Sequence, residues 1–236
     1  MTEKKGVAGR STRDMANRRR QQVLIKGLLA IGIMIVLTIV LQSGVFRGSV
    51  VTVVIFFLIL FIPDIIGKQL KTKNKTAERA WRGAEAEEAI ANILENLGEG
   101  FFVLHDISTP YGNIDHIVIS KKHGVFLIET KAHSGKVTVI NGELKRNGKP
   151  FEKDFVRQIL RNVFWLKETI EDEIGIRVWI TPILVFANAY VPPLRPIKNV
   201  RIINRRFLRR TIYQTSASPQ KSSQLWEKRY QLAQIL

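Results

Sequence analysis

An almost unbroken apolar run early in the sequence limits what this chain can fold into more than any other feature. Residues 23–41 are interrupted only by one lysine, one threonine and two glycines, and about 20 apolar residues in a helix cross the hydrocarbon core of a bilayer. A second run, residues 48–62, reaches that length only together with its flanking residues. We therefore predict a hairpin of two transmembrane helices, at about residues 23–42 and 46–66. A shallow hairpin that does not fully cross the bilayer is the alternative.

The basic residues are distributed so that they orient this hairpin. The chain has a formal net charge of +17, and residues 1–82 hold 15 basic and 4 acidic residues. Nearly all of those basic residues lie before the first apolar run or after the second, whereas the connection between the runs holds Arg47 alone. The positive-inside rule then places both termini in the cytoplasm, with residues 1–22 as a basic N-terminus and residues 67–81 as a basic, solvated linker.

From about residue 82 the sequence has the pattern of one α/β domain. Apolar residues at helical spacing alternate with short segments rich in Val, Ile, Leu and Phe, and turn residues separate these segments. We predict helices at residues 83–97, 154–174, 204–213 and 219–236, and strands at residues 101–108, 113–120, 124–131, 136–140, 143–146, 177–187 and 200–203. This order predicts a mixed central sheet flanked by helices in residues 82–203, followed by a C-terminal helical extension, residues 204–236. The chain has no cysteine, which excludes disulfides, thiolate metal sites and cysteine nucleophiles.

Three charged residues interrupt two of these apolar strands. Side chains alternate between the two faces of a strand, so Asp115, Glu129 and Lys131 each share a face with apolar neighbours. If the connection between the two strands has an odd number of residues, Asp115 and Glu129 lie side by side, whereas an even number would pair Asp115 with Thr130. His116 points to the opposite face from Asp115, and we predict a structural role for it.

Two adjacent carboxylates in a low-dielectric environment repel each other unless a positive charge compensates them. A divalent cation with oxygen ligands, Mg²⁺ or Mn²⁺, is one solution, and Lys131 could then orient water or stabilise developing negative charge. A buried ion pair between Lys131 and one of the acids, without a metal, is the other solution. The residues alone do not decide between the two.

Glu87, in the first predicted helix of the domain, could also belong to this cluster. On a helical projection Glu87 borders the buried apolar stripe, whereas the other acids of the helix, Glu85, Glu88 and Glu95, lie on the solvent side. Glu87 is therefore a candidate fourth member of the cluster, with an ordinary residue at the helix edge as the alternative.

The segment of residues 195–210 is strongly basic and contains no acid. Arg201, Arg205, Arg206 and Arg209 lie in it and are candidates for binding the phosphates of a nucleic acid. A solvated helix face, or contact with an anionic membrane surface, explains the same residues equally well.

The motifs "RGAEAEEAI", "NIDHIVIS", "GVFLIETKAHSGKV" and "FVRQILRN" together resemble those of the NERD (nuclease-related) domain over about residues 82–187. That family resembles a branch of the PD-(D/E)XK nuclease superfamily, similar to Mrr-type restriction endonucleases, which implies a restriction-endonuclease-like sheet. The resemblance implies that Asp115 and Glu129 are metal ligands assisted by the carbonyl of Thr130, and that Lys131 positions water or stabilises charge. It also implies that Glu87 reaches the metal or its water, and that Gln158 lies near the site.

These observations predict a membrane-anchored nuclease that uses Mg²⁺ or Mn²⁺ to hydrolyse phosphodiester bonds of DNA or RNA at the cytoplasmic face. The alternative is a catalytically inactive module of the same fold that binds nucleic acid or a partner while tethered to the membrane. The sequence does not choose between DNA and RNA, and it leaves the oligomeric state open.

Overall fold

A computed structural model of the protein describes residues 1–43, 50–215 and 219–236, with the backbone alone described for residues 41, 50–52, 56, 58–74 and 219. The chain divides into two compact units. One consists of residues 11–81, and the other combines residues 1–10 with residues 82–236. The second unit contains all of the predicted site residues.

The elements of the domain follow one another in the order that the sequence predicts, but the structure adds a strand at the N-terminus and a short sixth strand, and it divides the predicted helix 219–236 into two. The strands are β1 (Glu3–Lys5), β2 (Phe101–Thr109), β3 (Gly112–Ser120), β4 (Gly124–Ile140), β5 (Glu143–Arg146), β6 (Lys149–Pro150), β7 (Ile180–Tyr190) and β8 (Arg201–Asn204). The helices are α1 (Arg10–Gln42), α2 (Val50–Glu95), α3 (Phe155–Ile174), α4 (Leu208–Tyr213), α5 (Pro219–Glu227) and α6 (Arg229–Ile235), and a 3₁₀ turn (Arg205–Phe207) precedes α4.

The strand β4 lies at the centre of a mixed sheet. It pairs antiparallel with β3 and parallel with β7, β7 pairs parallel with β8, and β2 extends the sheet beyond β3. The sequence predicts two separate strands, at residues 124–131 and 136–140, where the structure has one strand. An irregularity between Lys131 and Ser134 marks the point where the prediction ends the first of them, and beyond it β4 continues into pairing with β5.

Helices cover both faces of this sheet, which confirms the predicted α/β class. The helices α3, α5 and α6 pack on one face through residues such as Ile159, Leu225 and Leu232. The C-terminal part of α2 packs with α4 on the other face, through residues such as Leu94 and Leu208. Residues 204–236, predicted as an extension of the domain, thus contribute to both hydrophobic cores and belong to the same compact unit.

The boundaries of α3 follow from its capping residues. Asp154 precedes the helix, and its side chain accepts a hydrogen bond from the backbone N–H of Arg157 at 2.9 Å, which satisfies one of the free donors of the first turn. Gly175 follows the helix in the left-handed conformation, at φ 73°, and its N–H bonds to the carbonyl of Glu171. The predicted helix 154–174 is confirmed within one residue.

The sequence did not predict that the N-terminus forms part of the domain. The strand β1 pairs parallel with β2 at the edge of the sheet, and Thr2 exchanges two hydrogen bonds with the backbone of Gly98. Glu3 accepts a hydrogen bond from Arg229 at 2.8 Å. Gly6 has φ +87°, and a Cβ there would overlap the carbonyl oxygen of His105. Residues 1–10 are therefore docked on the sheet, and the predicted basic N-terminus 1–22 is divided between the two units.

The predicted membrane hairpin is supported in its first half. Residues 10–40 of α1 are long and apolar enough to span a bilayer, with a mean hydropathy of 2.7 over the most apolar window, 6% of which is buried within the protein. A signal sequence near an N-terminus passes the same test. The second predicted spanning helix, 46–66, lies partly outside the described residues and stays a prediction.

The basic segment predicted as a linker, residues 67–81, is helical. It belongs to α2, which continues without a break from Val50 to Glu95. Between Gly67 and Gly83 the segment has no glycine or proline, and Lys, Gln, Leu, Glu, Arg and Ala make up most of it. These residues favour helix formation, so the helical propensity of the segment and not its charge determines its conformation.

Candidate active site

The connection between β3 and β4 sets the register of the site. Three residues, 121–123, separate the two strands, and Ser120 pairs with Gly124. The ladder runs to the pair His116 and Ile128, so the next position along it sets Asp115 opposite Glu129. The odd connection that the side-by-side arrangement requires is therefore confirmed.

Glu129 is held by two donors from different elements. Its side chain is 3% exposed, and its Oε1 atom accepts hydrogen bonds from Lys131 Nζ at 2.6 Å and from Gln158 Nε2 at 2.8 Å. Lys131 lies two residues further along β4, and Gln158 lies in the first turn of α3. The other carboxylate oxygen, Oε2, is buried and has no hydrogen-bond partner among the described residues.

Asp115 is fixed by the backbone of the neighbouring strand. Its Oδ2 atom accepts a hydrogen bond from the N–H of Thr130 at 2.6 Å. Burial raises the pKa of Asp115 well above its ordinary value, and the nearby charges of Glu129 and Glu87 raise it further. Lys131 and the hydrogen bond from Thr130 oppose this shift without cancelling it. The raised pKa means that the charge of Asp115 is disfavoured in the folded protein even with Lys131 present.

Lys131 is the positive charge of the cluster. Burial alone would lower the pKa of its ammonium group, but the carboxylates of Glu129 and Asp115 outweigh burial and raise the pKa above its ordinary value. Lys131 Nζ also lies 4.6 Å from the centroid of the Phe155 ring, at the start of α3. Because Lys131 stays protonated at neutral pH, it can donate hydrogen bonds and stabilise negative charge, but it cannot act as a general base there.

The strand pair that carries Asp115, Glu129 and Lys131, and the helix that carries Gln158, lie within a segment that matches a known family. Residues 82–187 match the family model of the nuclease-related domain (NERD). No curated protein and no solved structure matched the chain. The match ends within β7, so β1, β8 and the C-terminal helices complete the sheet and its cores from outside the nuclease-related domain.

Glu87, on α2, adds a third negative charge to the surroundings of the strand pair. Glu87 is half-buried on α2 and is close enough to raise the pKa values of both Asp115 and Lys131. Among the described residues, however, no three His, Cys, Asp or Glu side chains converge closely enough to hold a metal ion. Glu87 influences the site electrostatically, and the strand register sets Asp115 opposite Glu129. Thr130 contributes its backbone N–H; its role as a carbonyl ligand stays a prediction.

His105 and His116 are buried on the face of the sheet opposite to that of Asp115. His116 is fully buried, and its Nδ1 atom lies 2.8 Å from Nδ1 of His105. Burial lowers the pKa of both imidazoles, which keeps them neutral. This arrangement agrees with a structural role for His116.

The predicted phosphate-binding arginines lie outside the carboxylate cluster. Arg201 starts β8, Arg205 and Arg206 are exposed in the 3₁₀ turn, and Arg209 lies on α4 with its guanidinium 5.8 Å from the Tyr213 ring. Their position follows from the sheet, in which Lys131 pairs with Phe186 and Phe186 pairs with Asn204. Two strand spacings, about 10 Å, thus separate Lys131 from the residue that precedes Arg205.

The structure brings two further residues close to this region that the sequence analysis does not single out. Tyr111 lies in the turn between β2 and β3, and the guanidinium of Arg161 on α3 lies 5.9 Å from its ring. The signal in the sequence is an aromatic residue in a polar turn, between Pro110 and Gly112, but only the fold pairs it with an arginine one helical turn beyond Gln158.

Proposed function

We propose that this protein is a metal-dependent nuclease tethered to a membrane, with Asp115 and Glu129 as its metal ligands. The observation that carries the proposal is the asymmetric environment of Glu129. One of its oxygens accepts from Lys131 and Gln158, whereas the other is buried without a partner among the described residues. The charge of Glu129 is also close enough to raise the pKa of Asp115. A buried, unpaired carboxylate oxygen is costly unless a cation binds it.

The residues present fit a hard divalent cation. Two carboxylates with water completing the coordination suit Mg²⁺ or Mn²⁺, which keep several waters and accept oxygen ligands. Such an ion, when bound, polarises a phosphoryl oxygen and increases the acidity of a bound water. The chain supplies the remaining functions: Thr130 orients Asp115, Gln158 orients Glu129, and the ammonium of Lys131 stabilises the negative charge that develops on the phosphate.

A catalytically inactive module of the same fold is the second candidate. The observation in its favour is the ion pair between Lys131 and Glu129, at 2.6 Å, which neutralises one carboxylate without a metal. In that case Asp115 would bind a proton, as its raised pKa favours, and so lose its unfavourable negative charge. The domain would then bind nucleic acid or a partner through its basic surfaces.

The two candidates differ in what Mn²⁺ does to the protein. We expect the full-length chain in detergent to cleave labelled DNA or RNA in Mg²⁺ or Mn²⁺ and to stop in a chelator. We also expect Mn²⁺ at 100 times its dissociation constant to stabilise the fold by about 2.7 kcal/mol, seen as a rise in Tm. Glu129→Gln should lose both responses, whereas Glu143→Gln, an exposed acid on β5, should keep them.

The same measurements would also identify an inactive module. If the wild type and Glu129→Gln are equally inert on single-stranded and double-stranded DNA and RNA, and Mn²⁺ shifts neither Tm, the nuclease proposal is wrong. Binding of nucleic acid under those conditions would then support the tethered binding module.

The membrane part of the proposal rests on chain connectivity. Residues 1–10 and 82–236 share one sheet, because β1 pairs with β2. If α1 crosses a bilayer, the chain must therefore cross again before residue 82, which favours the two-span hairpin over a single anchor. The basic flanks of the apolar runs favour the cytoplasm for both ends.

The absence of cysteine in the chain makes this topology directly testable. We expect Val7→Cys and Lys122→Cys, both at exposed positions of the domain unit, to react with a membrane-impermeant maleimide in inside-out vesicles and not in intact cells. Ser43→Cys, just beyond α1, should show the reverse. Labelling of Val7→Cys and Lys122→Cys from opposite sides would contradict the pairing of β1 with β2. Labelling of Ser43→Cys from the cytoplasmic side would favour the shallow hairpin.

A further inference from the structure

An exposed aromatic ring lies at the tip of the β2–β3 hairpin. The side chain of Tyr111 is 53% exposed. The turn that carries it is held in one conformation by Thr109. The hydroxyl of Thr109 donates to the carbonyl of Gly112 at 2.5 Å and accepts from the N–H of Tyr111 at 3.1 Å. The ring is therefore presented on a rigid support.

A cation accompanies this ring. The guanidinium of Arg161, an exposed residue of α3, lies 5.9 Å from the ring centroid of Tyr111, within the range of a cation–π interaction. The neighbouring residue Asn162 is buried, and its Oδ1 atom lies 3.4 Å from the hydroxyl of Thr109, which fixes the helix against the turn. An aromatic face beside an arginine is the combination that stacks an unpaired base and binds its phosphate.

Both residues come from the elements that build the candidate active site. Tyr111 precedes Asp115 by four residues, about 13 Å along an extended strand. Arg161 follows Gln158, whose side chain binds Glu129, by three residues, about 4.5 Å along the helix. Stacked nucleotides rise about 3.4 Å each, so these spacings correspond to about one to four nucleotides between the Tyr111–Arg161 pair and the candidate site.

We propose that Tyr111 and Arg161 form a subsite for an unpaired nucleotide, and hence that the preferred ligand is single-stranded nucleic acid or an unpaired end. Tyr111 stacks on the base, and Arg161 binds the adjacent phosphate. A base within a duplex has both faces covered by its neighbours, so the exposed ring discriminates against paired strands. This inference rests on the proposed function, because it names the form of the nucleic acid that enters the site.

The chain contains a matched control pair. Trp179 is 46% exposed, and the Nζ atom of Lys167 lies 5.9 Å from its ring. This pair is also an exposed aromatic ring beside a cation, but it lies farther from the candidate site. Trp179 directly precedes β7, whose first residue, Ile180, pairs with Val125. Glu129 pairs with Leu184, four residues further along β7. A general effect of surface aromatic residues or of positive charge would alter both pairs equally.

The test is equilibrium binding of the full-length protein in detergent to fluorescent oligonucleotides in the presence of EDTA, so that cleavage does not occur. We expect Tyr111→Ala to weaken binding of a single-stranded 12-mer by roughly 5- to 100-fold, the range for loss of one stacked base. Tyr111→Phe should bind like the wild type. Arg161→Gln should reduce the salt dependence by about 0.7 in the slope of log K against log[salt], the amount expected for one phosphate contact on a single strand. DNA and RNA oligonucleotides are compared in parallel arms.

Trp179→Ala and Lys167→Gln should leave single-strand binding unchanged, and Tyr111→Ala should leave binding to a blunt duplex unchanged. Equal losses in Tyr111→Ala and Trp179→Ala, unchanged single-strand binding in Tyr111→Ala, or an equal loss on duplex would each overturn the subsite. Because no cleavage is measured, a chain that proves inactive as a nuclease can still support the subsite, and an active nuclease can still refute it.

Discussion

Asp115→Asn is expected to abolish cleavage while stabilising the metal-free protein at neutral pH. The loss of a metal-binding carboxylate removes electrostatic stabilisation of the transition state, for which a rate reduction on the order of 10³-fold is expected. The amide keeps the shape of the side chain and an oxygen that accepts the N–H of Thr130, so the backbone contact survives. It also removes a charge that is unfavourable in the folded protein, because burial, and then repulsion from Glu129 and Glu87, raise the pKa of Asp115.

The same substitution should change how stability depends on pH. A carboxyl group whose pKa is raised by folding binds more protons in the folded state than in the unfolded state, so it makes the folded protein less stable as the pH rises. For Asp115 this loss begins above its ordinary pKa of 3.8 and is complete above the raised value. In a chelator, the wild type should therefore lose stability relative to Asp115→Asn as the pH is increased from 4 to 7.

Thermal unfolding at a series of pH values, followed alongside cleavage, checks both parts. Asp154→Asn removes an acid that caps α3 outside the cluster and serves as the control for a carboxylate lost elsewhere. If Asp115 were a structural partner of Lys131, its amide variant would be less stable than the wild type at pH 7, not more. A stable, inactive variant is the result expected of a residue retained for function at a cost to stability.

The core of the site could be predicted because strand periodicity and loop length determine it. Alternation along a strand gathers Asp115, Glu129 and Lys131 on one face, and the three-residue connection sets the register. These predictions involve neighbours in sequence or one strand pairing. The position of Gln158 near the site is implied only by the resemblance to the nuclease-related domain, and the structure shows its side chain reaching Glu129 between a helix and a strand.

The rest of the fold depends on contacts that no local pattern reports. Glu3 to Lys5 form a strand only because the edge of β2 offers them backbone partners, and their charged sequence gives no strand signal. The pairing of Tyr111 with Arg161 joins a turn and a helix 50 residues apart. Residues 67–81 were predicted as a linker from their charge, although their composition favours helix. Contacts between residues distant in sequence, and the helix propensity of residues 67–81, thus account for these differences between prediction and structure.

Lys131→Met should be the most destabilising substitution in the site, and the reason is the imbalance of charge around it. The carboxylates of Glu129, Asp115 and Glu87 all act on the one ammonium group of Lys131. Removing the cation leaves Glu129, 3% exposed, as an uncompensated buried charge beside a second acid, for which a loss of about 3–5 kcal/mol is expected. For a domain of this size that corresponds to a fall in Tm of roughly 6–20 °C in a chelator.

Removing the acid of this ion pair, in Glu129→Gln, should destabilise the fold much less than removing the lysine. In Glu129→Gln the ammonium of Lys131 is still compensated by Asp115 and Glu87, and the side-chain oxygen of the new amide still accepts from Gln158. The double variant, Glu129→Gln with Lys131→Met, removes both charges of the 2.6 Å pair and should recover most of the stability lost in Lys131→Met. Lys122→Met, at an exposed position of the β3–β4 turn, is the control for loss of a lysine and should leave the Tm unchanged.

A double-mutant cycle of unfolding free energies, measured alongside cleavage, separates stability from chemistry. Stability should rank wild type, Glu129→Gln and the double variant close together, with Lys131→Met well below them, whereas cleavage should be lost in all three variants. A double variant as unstable as Lys131→Met would mean that the lysine stabilises the fold through its contact with Phe155 and not through its ion pair with Glu129. Cleavage that returned together with stability would mean that the pair is a structural element and that the reaction occurs elsewhere on the domain.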